Sequence, residues 1–227
     1  MTASLLSPGD IRLGERPLIV CDIDEVALEF IAPLRAFLRS TGLDLLPRSF
    51  RLHGNVVSLE TGIAAEDGIV TARIEEFFSL HDQWQGPVPL AVETLNSLGR
   101  TADIVFLTAM PPRHSAKRRA LLDRLGLPFP LLAIEGAKGP VVRSLHQNRP
   151  QPVVFLDDIL HNLQSVALHE PKCLLINLIA DRDFLALAPK PETPILSAAD
   201  WSEAAIFIHA HFSGTQPATH RSSGPAS

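Results

Sequence analysis

The stretch Leu18-Ile-Val-Cys21-Asp22-Ile-Asp24-Glu25-Val26 decides the fold. Four apolar residues behind Pro17 read as a short buried strand, and the run ends abruptly in two carboxylates two residues apart. Working outward, similar apolar runs recur at Asp103-Ile-Val-Phe-Leu-Thr108, Val153-Val-Phe-Leu156 and Cys173-Leu-Leu-Ile-Asn177, with a weaker one at Leu131-Leu-Ala-Ile134. Helical patterns separate them. One covers 88–98, with Gly99 suited to its end, and another 112–125, with proline at its start and Gly126 at its end. Others cover 159–168 and 201–212, the last with Asp200 or Ser197 as a candidate cap. This alternation predicts an α/β three-layer sandwich around a parallel, Rossmann-like sheet.

Residues 26–87 break the rhythm, because they carry no strand pattern. Ala27, Phe30, Ile31, Leu34, Phe37 and Leu38 recur at helical spacing up to Gly42, and Ile74, Phe77, Phe78 and His81 repeat it. The expectation is a small helical cap inserted after the first strand, a lid over whatever the first loop holds. The core then comprises 1–25 and 88–212. The segment 213–227 is Ser, Thr, Pro and Gly with almost no apolar content, and is expected to be a disordered tail.

Composition limits the function classes. The chain has 227 residues, 46% hydrophobic and 20% charged, enough for one core domain with an insertion. A net charge of -5 argues against a general nucleic-acid binder. Two cysteines, Cys21 and Cys173, offer neither a disulfide framework nor a thiolate zinc site, and the nine histidines show no metal spacing. The first residues, MTASLLSPGD, lack the basic start and long apolar run of a signal peptide, and the apolar stretch 173–180 is too short to span a bilayer. These features predict a soluble cytoplasmic protein with no membrane and no nucleic-acid polymer as partner.

Four groups fall at the C-terminal ends of these elements, the edge where open parallel sheets bind ligands. They are Asp22 with Asp24, Thr108 with Ala109, Lys138 at a helix start, and Asp157 with Asp158, followed by Asn162. Several acids converging at one edge need a cation to stay ionised, and hard carboxylate oxygens without cysteine or paired histidine favour Mg²⁺. A lysine, a hydroxyl and backbone amides beside such an ion suit a phosphate dianion. One carboxylate is then a candidate nucleophile and the other a candidate acid/base.

This order of motifs resembles the haloacid dehalogenase-like hydrolase superfamily over roughly residues 17–180. The resemblance implies Asp22 as nucleophile and Mg²⁺ ligand, and Asp24 as general acid/base that also ligates through its carbonyl. It implies Thr108, Ala109 and Lys138 as phosphate-binding residues and Asp158 as a metal ligand, with Asp157 either a second ligand or a supporting group. Asn162 would support them. The family usually has glycine after the second Asp, where this chain has Glu25. The implied activity is a Mg²⁺-dependent phosphatase acting on a small phosphorylated metabolite through an aspartyl-phosphate.

Alternatives are a non-catalytic phosphate- or partner-binding member, which Glu25 favours, and a dehalogenase, which the presence of Asp24 disfavours. The stretch 22–30 is weakly similar to the 5'-nucleotidase-type members, and Phe30, Phe50, Phe77, Phe78 and Trp84 are the aromatics available to stack a base. The basic run Arg113, His114, Lys117, Arg118, Arg119 and Arg124 reads as a solvated helix face, with Lys117 a rival to Lys138. Arg51 and His53 read as solvated loop residues, and His81 as partly buried structure.

Overall fold

A computed structural model describes residues 6–215, so most of the expected tail lies outside the described residues. Six strands form one parallel sheet: β1 (Leu18–Cys21), β4 (Asp103–Thr108), β5 (Leu131–Ala133), β6 (Val153–Asp157), β7 (Leu174–Leu178) and β8 (Leu196–Ala198). Their spatial order is β5-β4-β1-β6-β7-β8, so β1 sits at the centre with Leu18 opposite both Asp103 and Val153. A strand flanked on both edges and covered on both faces has no solvent side. That is why it reads as a continuous apolar run rather than an alternation. Ile19 and Cys21 pack among Leu95 of α3 (Ala91–Leu98), Leu122 of α4 (Ser115–Arg124) and Trp201 of α8 (Trp201–Phe212). Leu18 and Val20 face the opposite layer, against Val142 of α5 (Lys138–His146) and Leu163 of α6 (Leu160–His169). The three layers expected from the sequence are therefore present. Asp200 is the cap of α8, accepting from the amides of Ser202 and Glu203.

Residues between β1 and α3 form a separate hydrophobic cluster around Phe30, Leu34, Phe37, Val70 and Phe77. Its helices are α1 (Ile31–Ser40) and α2 (Asp67–Trp84), and Phe184 from α7 (Arg182–Leu187) joins it from the other end of the chain. The expectation of a strand-free segment is corrected here. A two-stranded antiparallel sheet pairs β2 (Leu43–Leu45) with β3 (Val56–Ser58). Three residues are too few to establish an alternation, and the middle of β2 is a buried acid. Asp44 is held by Arg35 at 2.9 Å and Arg39 at 3.0 Å, and these arginines keep its carboxyl well below the usual carboxylate range.

The chain enters and leaves this segment through two adjacent connectors. Glu29 donates to Gly86 O and Val88 to Ala27 O, both at 3.0 Å. Pairing here takes up Ala27 and Leu28, so α1 starts at Ile31, later than the apolar spacing implied.

Candidate functional site

At the C-terminal end of β1 the chain bends sharply. Asp22 follows the strand with its side chain almost buried, and Glu25 adopts φ 65°, the left-handed region that glycine occupies without strain. A non-glycine residue there costs on the order of 1 kcal/mol, and three hydrogen bonds offset it. Glu25 Oε1 accepts from the amides of Phe30 (2.8 Å) and Ile31 (2.6 Å), and Oε2 accepts from the amide of Asp181 (2.8 Å). Glu25 therefore supplies the side-chain cap that Phe30 cannot give α1, and it ties α1 to the start of α7. Burial pushes its carboxyl upward in pKa, and the three amides oppose that shift.

Lys138 opens α5 and is 1% exposed. Its ammonium lies 2.8 Å from Asp22 Oδ1 and 2.7 Å from Asp157 Oδ2. The close approach of α5 to α6 places it there. A Cβ on Gly139 would sit 2.3 Å from Ser165 O, so only glycine fits directly behind the lysine. The rival Lys117 is elsewhere, donating to Ser79 O and lying 3.5 Å from Asp82.

Asp157, at the end of β6, has both oxygens engaged. Oδ2 takes Lys138, while Oδ1 accepts from Ile159 N (2.8 Å) and Asn162 Nδ2 (3.0 Å). Asp158 instead lines the adjoining cavity. One oxygen from each of Asp22, Asp157 and Asp158 lies within 4.8 Å of the others, a spacing that fits one cation. The three carboxylates have a single ammonium among them, paired with Asp22 and Asp157. Burial, opposed by Lys138 and reinforced by Asp157, pushes Asp22 up to about 7, and burial with the neighbouring acids raises Asp158 well above its usual value. Burial alone would lower Lys138, but Asp157 and Asp22 outweigh it and hold the ammonium above its normal value. The cluster is short of positive charge, so the donor set fits a hard divalent cation such as Mg²⁺.

Thr108, at the end of β4, is buried, and its Oγ accepts from Met110 N at 3.1 Å, leaving its proton to donate. Asp22, Asp24, Thr108, Ala109 and Asp158 line a cavity of about 310 Å³. The 30–84 segment and α7 also contribute to its lining. Phe30, Phe50 and Phe78 reach the cavity, whereas Phe77 is fully buried in its own cluster and Trp84 packs edge-on against Phe37.

Asp24 has partners that the sequence reading missed. Its Oδ1 accepts from Gln85 Nε2 at 2.8 Å and from Arg118 NH1 at 3.0 Å, and Arg118 also donates to Gln85 Oε1 at 2.9 Å. Arg118 is 0% exposed, which corrects the solvated-face expectation for the basic run. The rest of that run largely meets α2. Arg113 Nε and His114 Nε2 each lie 2.8 Å from Glu75 Oε1, and Arg124 donates to Asp82 O. No sequence signal marks Gln85. For Arg118 the signal was its place in the first turn of the helix that follows the Thr108 motif.

No protein-family model and no curated protein matches the chain. Solved structures do. A haloacid dehalogenase-like family hydrolase from Streptococcus pneumoniae superposes with TM-score 0.55 at 12% identity, covering 86% of this chain and 99% of that one. A HAD family hydrolase from Deinococcus radiodurans, solved with phosphate and sodium bound, gives 0.56 at 14%, covering 88% and 98%. A putative beta-phosphoglucomutase from Thermotoga maritima gives 0.54 at 15%, covering 85% and 97%. At such identities the likeness speaks for architecture, and the architecture is that of the haloacid dehalogenase-like hydrolases.

Proposed function

We propose that the chain is a Mg²⁺-dependent phosphatase that hydrolyses a small phosphomonoester through a phosphorylated Asp22. The observation that carries this reading is the chain of contacts from Asp22 through Lys138 to Asp157, with Asp158 beside it, at a cavity that Asp22 and Asp158 both line. A volume near 310 Å³ is at the low end for ligand sites, about 300–1,000 Å³, which favours a small metabolite over a polymer.

Mg²⁺ would be held by Asp22, Asp158 and the carbonyl of Asp24, and when bound it would neutralise charge around the phosphoryl oxygens. Asp157 and Asn162 support that set, since the Asp157 oxygens are already taken. Lys138 balances the negative charge between Asp22 and the incoming dianion, and the Thr108 hydroxyl with the Ala109 backbone receives phosphate oxygens. An Asp22 oxygen attacks phosphorus, the ester P–O bond breaks, and the departing oxygen takes a proton from Asp24. Asp24 then removes a proton from water, which attacks the phospho-Asp22 and releases inorganic phosphate. Arg118 and Gln85 occupy Asp24 Oδ1 and so leave Oδ2 for these transfers. Cys21 and Cys173, both free and buried, support a reducing compartment, the cytoplasm. Among the described residues no helix is long and apolar enough to cross a membrane.

Asp22→Asn tests the mechanism. Its hydrolysis of an aryl phosphate in Mg²⁺ is expected to fall by on the order of 10³-fold or more, with an unchanged circular dichroism spectrum. Removing the metal by chelation is expected to silence the parent protein. Retained activity in Asp22→Asn overturns the mechanism, and phosphate binding without turnover in the parent leaves a binding module.

A further inference from the structure

Beyond the phosphoryl end, the cavity changes character. Its walls are Phe30, Phe50, Leu52, Phe78, Met110 and Phe184, joined by isoleucines, and its apolar surface far exceeds its polar surface. Outside the phosphate-binding set, few polar side chains stand among them. Glu25 is saturated by three amides, and Asn162 Nδ2 holds Asp157. Arg51 is exposed, and it is the one cationic side chain lining the cavity among the described residues. A sugar or glycerol leaving group entering here would exchange several hydroxyl–water hydrogen bonds for contact with phenyl and alkyl groups. Each unmet hydroxyl costs affinity, whereas a hydrocarbon or aryl group gains by leaving water.

Resting on the phosphatase reading, we infer that the substrate is the phosphate ester of an apolar, hydroxyl-poor alcohol or phenol, rather than a sugar phosphate or a nucleotide. Specificity follows from what the walls lack. Among the described lining residues outside the phosphate-binding set, the Arg51 guanidinium and Asn162 Oδ1 are the polar side-chain groups without a hydrogen-bond partner, too few to read the several hydroxyls of a ribose or hexose. Phe50 and Leu52, half-buried on the connection between β2 and β3, are the residues that set it.

The test compares benzyl and phenyl phosphate with glycerol 3-phosphate and glucose 6-phosphate on the full chain in Mg²⁺. The apolar esters are expected to have kcat/KM at least about tenfold higher. Equal or reversed values overturn the inference while leaving the phosphatase reading intact. Calorimetric binding of benzylphosphonate against 3,4-dihydroxybutylphosphonate reads the same walls without chemistry. Tighter binding of the benzyl compound supports the inference even if no ester is cleaved, an outcome that would remove only the phosphatase reading. Equal binding overturns it. Phe50→Ser and Leu52→Asn are each expected to shrink the preference several-fold, and a preference unchanged in both folded variants overturns the role given to these two residues.

Discussion

Two charged regions of the molecule, some residues apart in sequence but joined at Asp24, behave differently. At the sheet edge Asp22 and Asp157 share one lysine with Asp158 beside them, and burial pushes Asp22 and Asp158 toward their neutral forms. Along the seam where α2 lies on α4, acids meet bases in turn: Glu75 with Arg113 and His114, Asp82 with Lys117, Asp24 with Arg118. The first region is buried and unbalanced, the second balanced within the protein. Imbalance in a dry place is costly and is kept where a ligand supplies the missing charge, whereas balance needs no ligand. The contrast separates a site from a fastening, although both are built from the same residue types.

Arg118 offers the sharpest way to break that contrast, because it is a fully buried cation paired with Asp24. Replacing it with leucine leaves Asp24 and Gln85 without their shared donor, and breaking a buried pair of this kind costs about 2–4 kcal/mol, less than a fully dry pair because Asp24 keeps some solvent. Denaturant unfolding of Arg118→Leu should show that loss. In the phosphatase assay kcat should fall more than KM rises, since Asp24 would lose its orientation and not its contact with substrate. Arg118→Lys should recover little, because one ammonium cannot serve both acceptors in the geometry of a guanidinium fork. Unchanged stability and kcat in Arg118→Leu would mean that the buried pair is idle.

How far the sequence speaks follows the same division. That Asp22, Thr108, Lys138 and Asp158 come together was legible because each sits at the end or start of a locally visible element, and a parallel sheet brings strand ends to one edge whatever the loops do. The strands beginning at Leu18, Asp103 and Val153 were legible because burial on both faces writes itself as an apolar run. β8 and α7 are short and carry no such pattern, so nothing announced them. Arg118 was misread because its burial depends on Asp24 and Gln85, 94 and 33 residues away, and a helix with many basic residues looks solvated until its partner is known. Glu25 was legible as a departure from the family pattern. Its use as the cap of α1 depended on where Phe30, Ile31 and Asp181 came to lie.

His81 sharpens the comparison from inside the seam. It is fully buried on α2, with Nδ1 2.6 Å from Phe78 O and Nε2 without a partner. Burial, then the nearby Arg118, pushes its pKa down to about 4. The unfolded chain binds this proton near pH 6.5, so between pH 6.5 and 4 it takes up a proton the folded state refuses. Stability from this group is whole above pH 6.5 and is lost as the pH falls toward 4. Between pH 7 and pH 5 the loss should amount to about 2 kcal/mol. Denaturant midpoints at pH 7 and pH 5 for the parent and His81→Leu isolate it, because the other titrating groups are common to both. An identical pH dependence in the two proteins would show that His81 accepts its proton freely in the folded state.

The smallest effect is expected at the wet end of the seam. Glu75 is 40% exposed in its side chain and Arg113 59%, so water and salt compete for both. Arg113 first, then His114, holds the Glu75 carboxyl below its usual value, which makes the pair a carboxylate interaction present at neutral pH and lost in acid. Glu75→Gln keeps the size and removes the charge. Its melting temperature at low salt should drop by about a degree or two, and the difference should vanish near 1 M salt, where the screening length is about 3 Å. Arg118→Leu, by contrast, should keep most of its deficit in salt, because the guanidinium it removes is fully buried and also serves Gln85. A salt-insensitive Glu75→Gln, or a salt-rescued Arg118→Leu, would show that burial is not what distinguishes the two ends of this seam.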